Sequence, residues 1–224
     1  MELDARLGAL AQMIEPCDAV ADIGTDHGFL GAYLLQQNRC NRVQFCDISE
    51  FSLQKARRLI DEMGLGHRAD FSVGDGAMAL RYPAQQVVIA GMGGVTIEGI
   101  VERGRERLKE SALIMQPNVA APHLRAGLQR LGFRIEREAL ARAGGRWYVI
   151  LRARQGRAEY DEKEQLAGPD LLARRDPMLQ GYAAFRIRVA QKALKGASRG
   201  NEEKAAAFAR EIELWEEIVQ WLQA

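Results

Sequence analysis

The chain has few of the residues that mark several protein classes. Its three cysteines (Cys17, Cys40 and Cys46) form no C-x-x-C pair and leave an odd count, which excludes a disulfide-stapled scaffold and points to a reducing compartment. With no evident base partner they are expected to be packing residues. His67 and His123 lack metal-ligand spacing with any cysteine or acid, so no metal is expected. No long apolar run is present: the longest uncharged stretch, Tyr82 to Ile97, is interrupted by Pro83 and by glycines and is too short to cross a bilayer. The start, Met1-Glu2-Leu3-Asp4, is acidic without an apolar core, so a secretory leader is not expected and a cytoplasmic location is. Charge of one sign is also scarce. The 31 basic and 30 acidic side chains leave +1, which taken alone argues against a nucleic-acid partner. What is present is 224 residues, 47% apolar and 27% charged, enough for one sizeable domain or a domain with a small appendage.

Leu3, Leu7, Leu10 and Ile14 recur at helical spacing, and Pro16 closes that first amphipathic helix. Short apolar runs follow at Ala19–Ile23, Val43–Ile48, Ala69–Val73, Val87–Ala90 and Ala112–Met115, with segments of helical period between them, such as Leu53, Ala56, Leu59 and Ile60. Strand and helix alternating in this way predicts a mostly parallel sheet covered by helices on both faces, a Rossmann-like α/β fold. Two further runs, Phe133–Leu140 and Arg146–Leu151, have only Ala143-Gly144-Gly145 between them and should pair as an antiparallel hairpin. The main domain is expected over 1–154 and a helical appendage over 155–224. In the appendage Met178, Tyr182, Phe185 and Val189 form one apolar stripe. Ala205, Phe208, Ile212, Trp215, Val219 and Leu222 form a second with a 3.5-residue repeat. Ser198-Arg199-Gly200-Asn201 supplies the turn, with Asn201 as helix cap, so an antiparallel coiled-coil hairpin is predicted.

Ligands of an open parallel sheet bind beyond the carboxyl ends of its strands. The first strand ends Asp22-Ile23-Gly24-Thr25-Asp26-His27-Gly28. A dinucleotide loop would need glycines at 24, 26 and 29, but 26 is Asp and 29 is Phe, and no Gly-Lys-Ser/Thr follows for a nucleoside triphosphate. A ligand with a cationic end and no phosphate fits better, with Asp22 or Asp26 drawing an ammonium group. The second strand runs into Asp47 and Ile48, where an acid commonly takes ribose hydroxyls, and the third ends Gly74-Asp75-Gly76, placed to read an adenine edge. Ammonium, ribose and adenine are the parts of S-adenosylmethionine. The plainer reading of each feature alone is a structural turn or a helix cap.

The same motifs carry a resemblance. Asp4-Ala5-Arg6-Leu7, Ala21-Asp22-Ile23-Gly24-Thr25-Asp26-His27, Gly74-Asp75-Gly76, Ile89-Ala90-Gly91-Met92-Gly93-Gly94, Gln116-Pro117-Asn118 and the Trp147-Tyr148 hairpin occur in that order over about residues 1–154. On them the chain resembles the bacterial tRNA adenine-22 N1-methyltransferase (TrmK-type) family, and its helical C-terminus is similar to that family's coiled-coil appendage. The resemblance implies methyl transfer from S-adenosylmethionine to N1 of an adenine in the D-arm of tRNA.

After the fourth strand, where amine methyltransferases often carry Asn/Asp-Pro-Pro-aromatic, the chain reads Ala90-Gly91-Met92-Gly93-Gly94. The lone pair of adenine N1 lies in the ring plane and needs no deprotonation before attack. Positioning and stabilisation of positive charge on the base can then supply the catalysis. Ala90 to Gly93 are expected to border the cofactor and Gly94 the base. Asp26, Gln116 and Asn118 are the candidates for charge stabilisation, although Asp26 also competes for the ammonium. His27 is a candidate for the cofactor, the base or the RNA backbone, or a helix cap. Tyr148 or Trp147 is placed to stack on a flipped base, with Tyr148 on the same hairpin face as Ile150. Residues 174–199 hold seven basic side chains and one acidic, net +6, between acidic neighbours. Within them Arg188, Lys192, Lys195 and Arg199 share one helical face and, with Arg174 and Arg175, form the expected tRNA contact. A basic face answering the acidic partner helix is the competing reading. A methyltransferase for another RNA position or a small molecule, or a non-catalytic module of the same fold, stays open, and no obligate protein partner is evident.

Overall fold

The structure, a computed structural model, describes residues 1–197 and 201–224. Arg199 and most of the expected turn at 198–201 therefore lie outside the described residues. The chain divides into two compact units, Met1–Glu159 and Tyr160–Ala224.

The first unit begins with helix α1 (Ala5–Met13), capped by Asp4, whose carboxylate accepts the Leu7 amide at 2.7 Å. Strands β1 (Cys17–Ile23) and β2 (Cys40–Asp47) are joined by α2 (Phe29–Gln36). Helix α3 (Glu50–Glu62) starts from the Ser49 cap and leads to β3 (Ala69–Val73). Then come β4 (Gln86–Met92), α4 (Gly94–Arg103), α5 (Arg105–Leu108), β5 (Ala112–Pro117) and α6 (Ala121–Arg130). The hairpin strands β6 (Phe133–Ala143) and β7 (Arg146–Gln155) close the unit. The seven strands form one sheet in the order β3-β2-β1-β4-β5-β7-β6, with β5 and β7 antiparallel, β6 and β7 antiparallel, and every other pairing parallel.

Central strands of a sheet covered on both faces must be apolar throughout, and β5 is buried at all six positions. Val20, Val88 and Ile114 share a core with Ile14, which follows α1, and with Leu10, Leu34, Leu53, Ala56 and Ile60, inward positions of α1 to α3. The hairpin turn is the pair Gly144 and Gly145, at φ +55° and +77°, the left-handed conformation that a two-residue connection requires. One expected element is replaced: between β3 and β4 there is no helix of the α type, only a 3-10 turn over Gly76–Ala79. The segment is too short and too punctuated, by Gly76 and Pro83, for a covering helix.

The second unit holds α7 (Glu162–Ala167), α8 (Pro169–Ala173), α9 (Leu179–Ala197) and α10 (Glu202–Gln223). Asn201 caps α10 by accepting the Lys204 amide at 2.9 Å. Tyr182 meets the edge of Trp215, and Arg186 pairs with Glu211 at 2.6 Å, so α9 and α10 run antiparallel. The contact stripe differs from the expected one. Leu179, Tyr182, Ala183 and Ala190 are buried on α9, whereas Val189 is 44% exposed. The stripe turns because Arg186 takes a seam position opposite Glu211, and small Ala183 and Ala190 admit the partner helix. On α10, Leu214 and Ile218 are buried beside Trp215, which widens the predicted stripe. No helix among the described residues is long and apolar enough to cross a membrane.

Candidate active site

The strand order reverses between β1 and β4, the crevice where open α/β sheets bind ligands. Two adjoining cavities lie there, sharing Gly24, Ala90 and Gly91. One, of about 320 Å³, is lined on its helical side by Arg6, Leu7 and Leu10 of α1 and by Phe29 and Leu30 of α2, and on its loop side by Asp22, Gly24, Thr25, Asp26 and His27. The other, of about 370 Å³, is lined by Asp47, Ile48, Gly74, Asp75, Gly76 and Met92, with Thr96, Ile100 and Arg103 of α4. Thirteen predicted cofactor positions therefore come together from four strand ends, and of the fourteen only Gly93 lies off both walls.

Local backbone demands explain the loop. Gly24 sits at φ +75°, and its amide donates to the Cys46 carbonyl at 2.7 Å, tying the β1 end to β2. The methyl of Met92 occupies the place a Gly24 side chain would take. Gly91, at φ +78°, has nothing within 4 Å of where a side chain would stand, so here the glycine leaves open space beside the cavities. Gly94 corrects an expectation. It is buried, its amide donates to the Val119 carbonyl at 2.9 Å, and a side chain there would strike the Ala120 carbonyl. Its role is to let α4 pack on the loop after β5, not to meet a base.

The acids differ sharply. Asp22 is only 7% exposed, accepts the Thr25 hydroxyl at 2.8 Å, and forms no ion pair among the described residues. Burial pushes its carboxyl up to about 6, with Asp47 adding to the rise and Thr25 and Arg6 opposing it. A buried carboxylate of this kind favours an incoming cation. Asp26 stands at φ +45° with its carboxylate mostly exposed, accepting Lys55 Nζ at 3.0 Å and lying 2.7 Å from His27 Nδ1. Its slight desolvation favours a higher value, but Lys55 and His27 outweigh it and hold the carboxyl below its ordinary range. Asp47 accepts the Ser49 amide at 2.8 Å and the Asp26 amide at 3.3 Å. Asp75 faces Arg103 at 3.2 Å. The residues fit a ligand with an ammonium at one end and a ribose and adenine at the other.

Gln116 and Asn118 belong to a relay. Arg6 Nη1 donates to Gln116 Oε1 at 3.1 Å, Gln116 Nε2 to Asn118 Oδ1 at 3.1 Å, and Asn118 Nδ2 to the Gly91 carbonyl at 2.7 Å. Gln116 is fully buried, so it positions its neighbours and touches no base, contrary to its expected catalytic place. Tyr148 is half-buried with the Arg6 guanidinium 5.8 Å from its ring centre, not presented as a free stacking face. Cys40 and Cys46 are buried, which pushes both thiols up to about 12 and leaves them inert packing groups.

A family model described as a methyltransferase domain matches residues 3–151. The chain belongs to that family. The methyltransferase domain is thus the unit carrying both cavities. Similarity extends further: over 232 aligned residues the chain is 27% identical to the tRNA (adenine(22)-N(1))-methyltransferase of Bacillus subtilis, covering 98% of each. The crystal structure of Bacillus subtilis TrmK superposes with a TM-score of 0.87 at 26% identity, over 97% of this chain and 99% of that one. Streptococcus pneumoniae Sp1610, solved in complex with S-adenosyl-L-methionine, gives 0.85 at 25% identity over 97% and 100%. The likeness therefore includes the helical unit as well as the methyltransferase domain.

Arg6, Lys55 and Arg103 are the site residues that sequence reasoning did not single out. Arg6 lies inside the quoted Asp4-Ala5-Arg6-Leu7 block, which was the available signal; the two others look like ordinary helix-surface charges. In the helical unit Arg174 pairs with Asp170 at 3.1 Å and Asp176 at 2.5 Å, and Arg175 lies over Trp221 at 4.4 Å. Both make these contacts within their own unit and are exposed. Arg188, Lys192 and Lys195 are exposed and make no ion pair among the described residues, whereas Arg186 pairs with an acid of α10.

Proposed function

We propose that this chain transfers the methyl group of S-adenosylmethionine to N1 of adenine 22 in tRNA. The observation that carries the reading is the pair of cavities meeting at Gly24 and Gly91, with a buried unpaired carboxylate in one and Asp47, Gly74, Asp75 and Gly76 in the other. When bound, S-adenosylmethionine supplies an electrophilic methyl on a sulfonium. Asp22 would hold the amino-acid ammonium in the first cavity, and Arg6, on the same wall, would hold the carboxylate. Asp47 would take the ribose hydroxyls, and Ile48, Ile100 and the Gly74 to Gly76 backbone line the cavity that would hold the adenine. The open space over Gly91 admits the target base. The relay from Arg6 through Gln116 and Asn118 pins the Gly91 carbonyl, and so fixes the edge against which the base rests. No side chain has to remove a proton, because N1 attacks through its ring-plane lone pair. In-line positioning and dipoles facing the developing positive charge on the base do the catalytic work. The adenine-22 assignment rests on the near-complete alignment with the Bacillus subtilis enzyme. The exposed face of Arg188, Lys192 and Lys195 contacts the RNA backbone, each cation releasing a counterion.

The test is labelled methyl transfer to tRNA transcripts bearing adenine or guanine at position 22, with the product mapped by a primer-extension stop. Label on the adenine transcript alone is expected. Equal labelling of both, or of neither, overturns the assignment.

A further inference from the structure

We infer that the rim of the first cavity carries a nucleobase-stacking platform, organised by Asp26, that holds an unpaired base next to the target adenine. This rests on tRNA being the substrate. One carboxylate ties the parts together: Asp26 Oδ1 accepts Lys55 Nζ at 3.0 Å and Asp26 Oδ2 lies 2.7 Å from His27 Nδ1. Each of these partners lies against an aromatic ring. His27 is stacked on Phe29, 5.4 Å between centres and 5° from parallel, and Lys55 Nζ sits 4.9 Å from the centre of Phe51. Both phenylalanines face water, Phe29 at 45% exposure and Phe51 at 69%.

A single exposed apolar side chain needs no explanation, whereas two exposed phenylalanines joined through the partners of one carboxylate do, with Phe29 on the cavity wall and Phe51 reached through Lys55. Three features select the occupant. The faces are aromatic, and every base offers a π-face to stack on. The Lys55 charge is balanced by Asp26, so the platform favours a neutral ring over a phosphate. His27, Asp26 and Phe29 line the cavity itself, which places the stacked base beside the reacting one. This also separates the two aspartates: Asp22, buried and unpaired, takes the cofactor, while Asp26, spoken for by Lys55 and His27, shapes the substrate surface.

The test compares Phe51→Ala, Phe51→Leu and Phe51→Trp with the wild type in tRNA methylation at saturating S-adenosylmethionine, with cofactor affinity measured separately by calorimetry. Loss of one stacked base should raise the KM for tRNA between about fivefold and a hundredfold in Phe51→Ala. Phe51→Leu, apolar but without a π-face, should stay impaired, and Phe51→Trp should restore the wild-type KM. Cofactor affinity should be unchanged in all three. Wild-type tRNA KM in both Phe51→Ala and Phe51→Leu overturns the platform and leaves the methyltransferase reading standing. A wild-type protein that transfers nothing to tRNA overturns that reading, and the platform with it.

Discussion

Replacing Asp22 by Asn should make the empty protein more stable and the cofactor bind worse. The carboxyl is 7% exposed and burial pushes it up to about 6, whereas in an unfolded chain it ionises near 3.8. Between those two values the folded state holds a proton that the unfolded state has released, so stability falls as pH rises through that window and stays reduced above it. At about 1.4 kcal/mol per pH unit, the ionised carboxylate costs the folded protein about 3 kcal/mol at pH 8. Asparagine keeps the acceptor for the Thr25 hydroxyl but adds an amide N–H₂ to be satisfied, at a cost of about 1–2 kcal/mol, which reduces the net gain to about 1–2 kcal/mol. For a chain of this length that raises the unfolding midpoint by roughly 2–8 °C. Binding moves the other way, because a ligand ammonium would meet a neutral amide in a buried site. A loss of about 2–5 kcal/mol is expected, roughly 30- to several-thousand-fold in Kd. Thermal unfolding of both proteins at pH 8 and pH 4.5, with calorimetric titration of S-adenosylmethionine at pH 8, measures all three quantities. The stability difference should be large at pH 8 and shrink at pH 4.5. An Asp22→Asn protein no more stable than wild type at pH 8, or one that binds the cofactor as tightly, would refute the reasoning.

Gly94→Ala should destabilise the methyltransferase domain by about 1–3 kcal/mol, because the added methyl meets the Ala120 carbonyl and only backbone can yield; urea unfolding reads this directly. Arg188, Lys192 and Lys195 changed together to Ala should weaken tRNA binding and lower the slope of log affinity against log salt by about 2–3, with cofactor affinity intact. Glu138→Gln should cost about 3–5 kcal/mol, since it removes the carboxylate charge that faces the fully buried Arg125 guanidinium at 2.8 Å. In the wild type, cofactor affinity should fall about tenfold per pH unit below about 6, as Asp22 takes up its proton, and in Asp22→Asn this part of the dependence should vanish.

Much of the fold and half of the site could be read along the chain because they depend on neighbours in sequence. The apolar runs of the strands, the Gly144-Gly145 turn and the Asn201 cap are short-range choices of backbone conformation. The acids after β1, β2 and β3 were readable for the same reason: a parallel sheet brings all its strand ends to one edge, so order along the chain becomes proximity in space. The functions of charged helix residues were not readable in this way. Arg6, Lys55 and Arg103 sit on helices where a solvent face and a site face look alike, and their partners Gln116, Asp26 and Asp75 lie 28 or more positions away. Arg174 is a different case: its partners Asp170 and Asp176 lie only four and two positions away, and the turn after α8 sets Asp176 beside it.

Composition, strand-end acids and glycine spacing were therefore enough to expect a sheet with an acid-lined pocket at its strand ends, since each follows from local conformation and from the common edge of parallel strands. Which aspartate is buried, which glycine has open space beside it and which cations stay clear of the partner helix were decided only when helices and loops packed. Burial separates Asp22 from Asp26, the Ala120 carbonyl separates Gly94 from Gly91, and the turn of α9 that spends Arg186 on Glu211 leaves Arg188, Lys192 and Lys195 to the solvent.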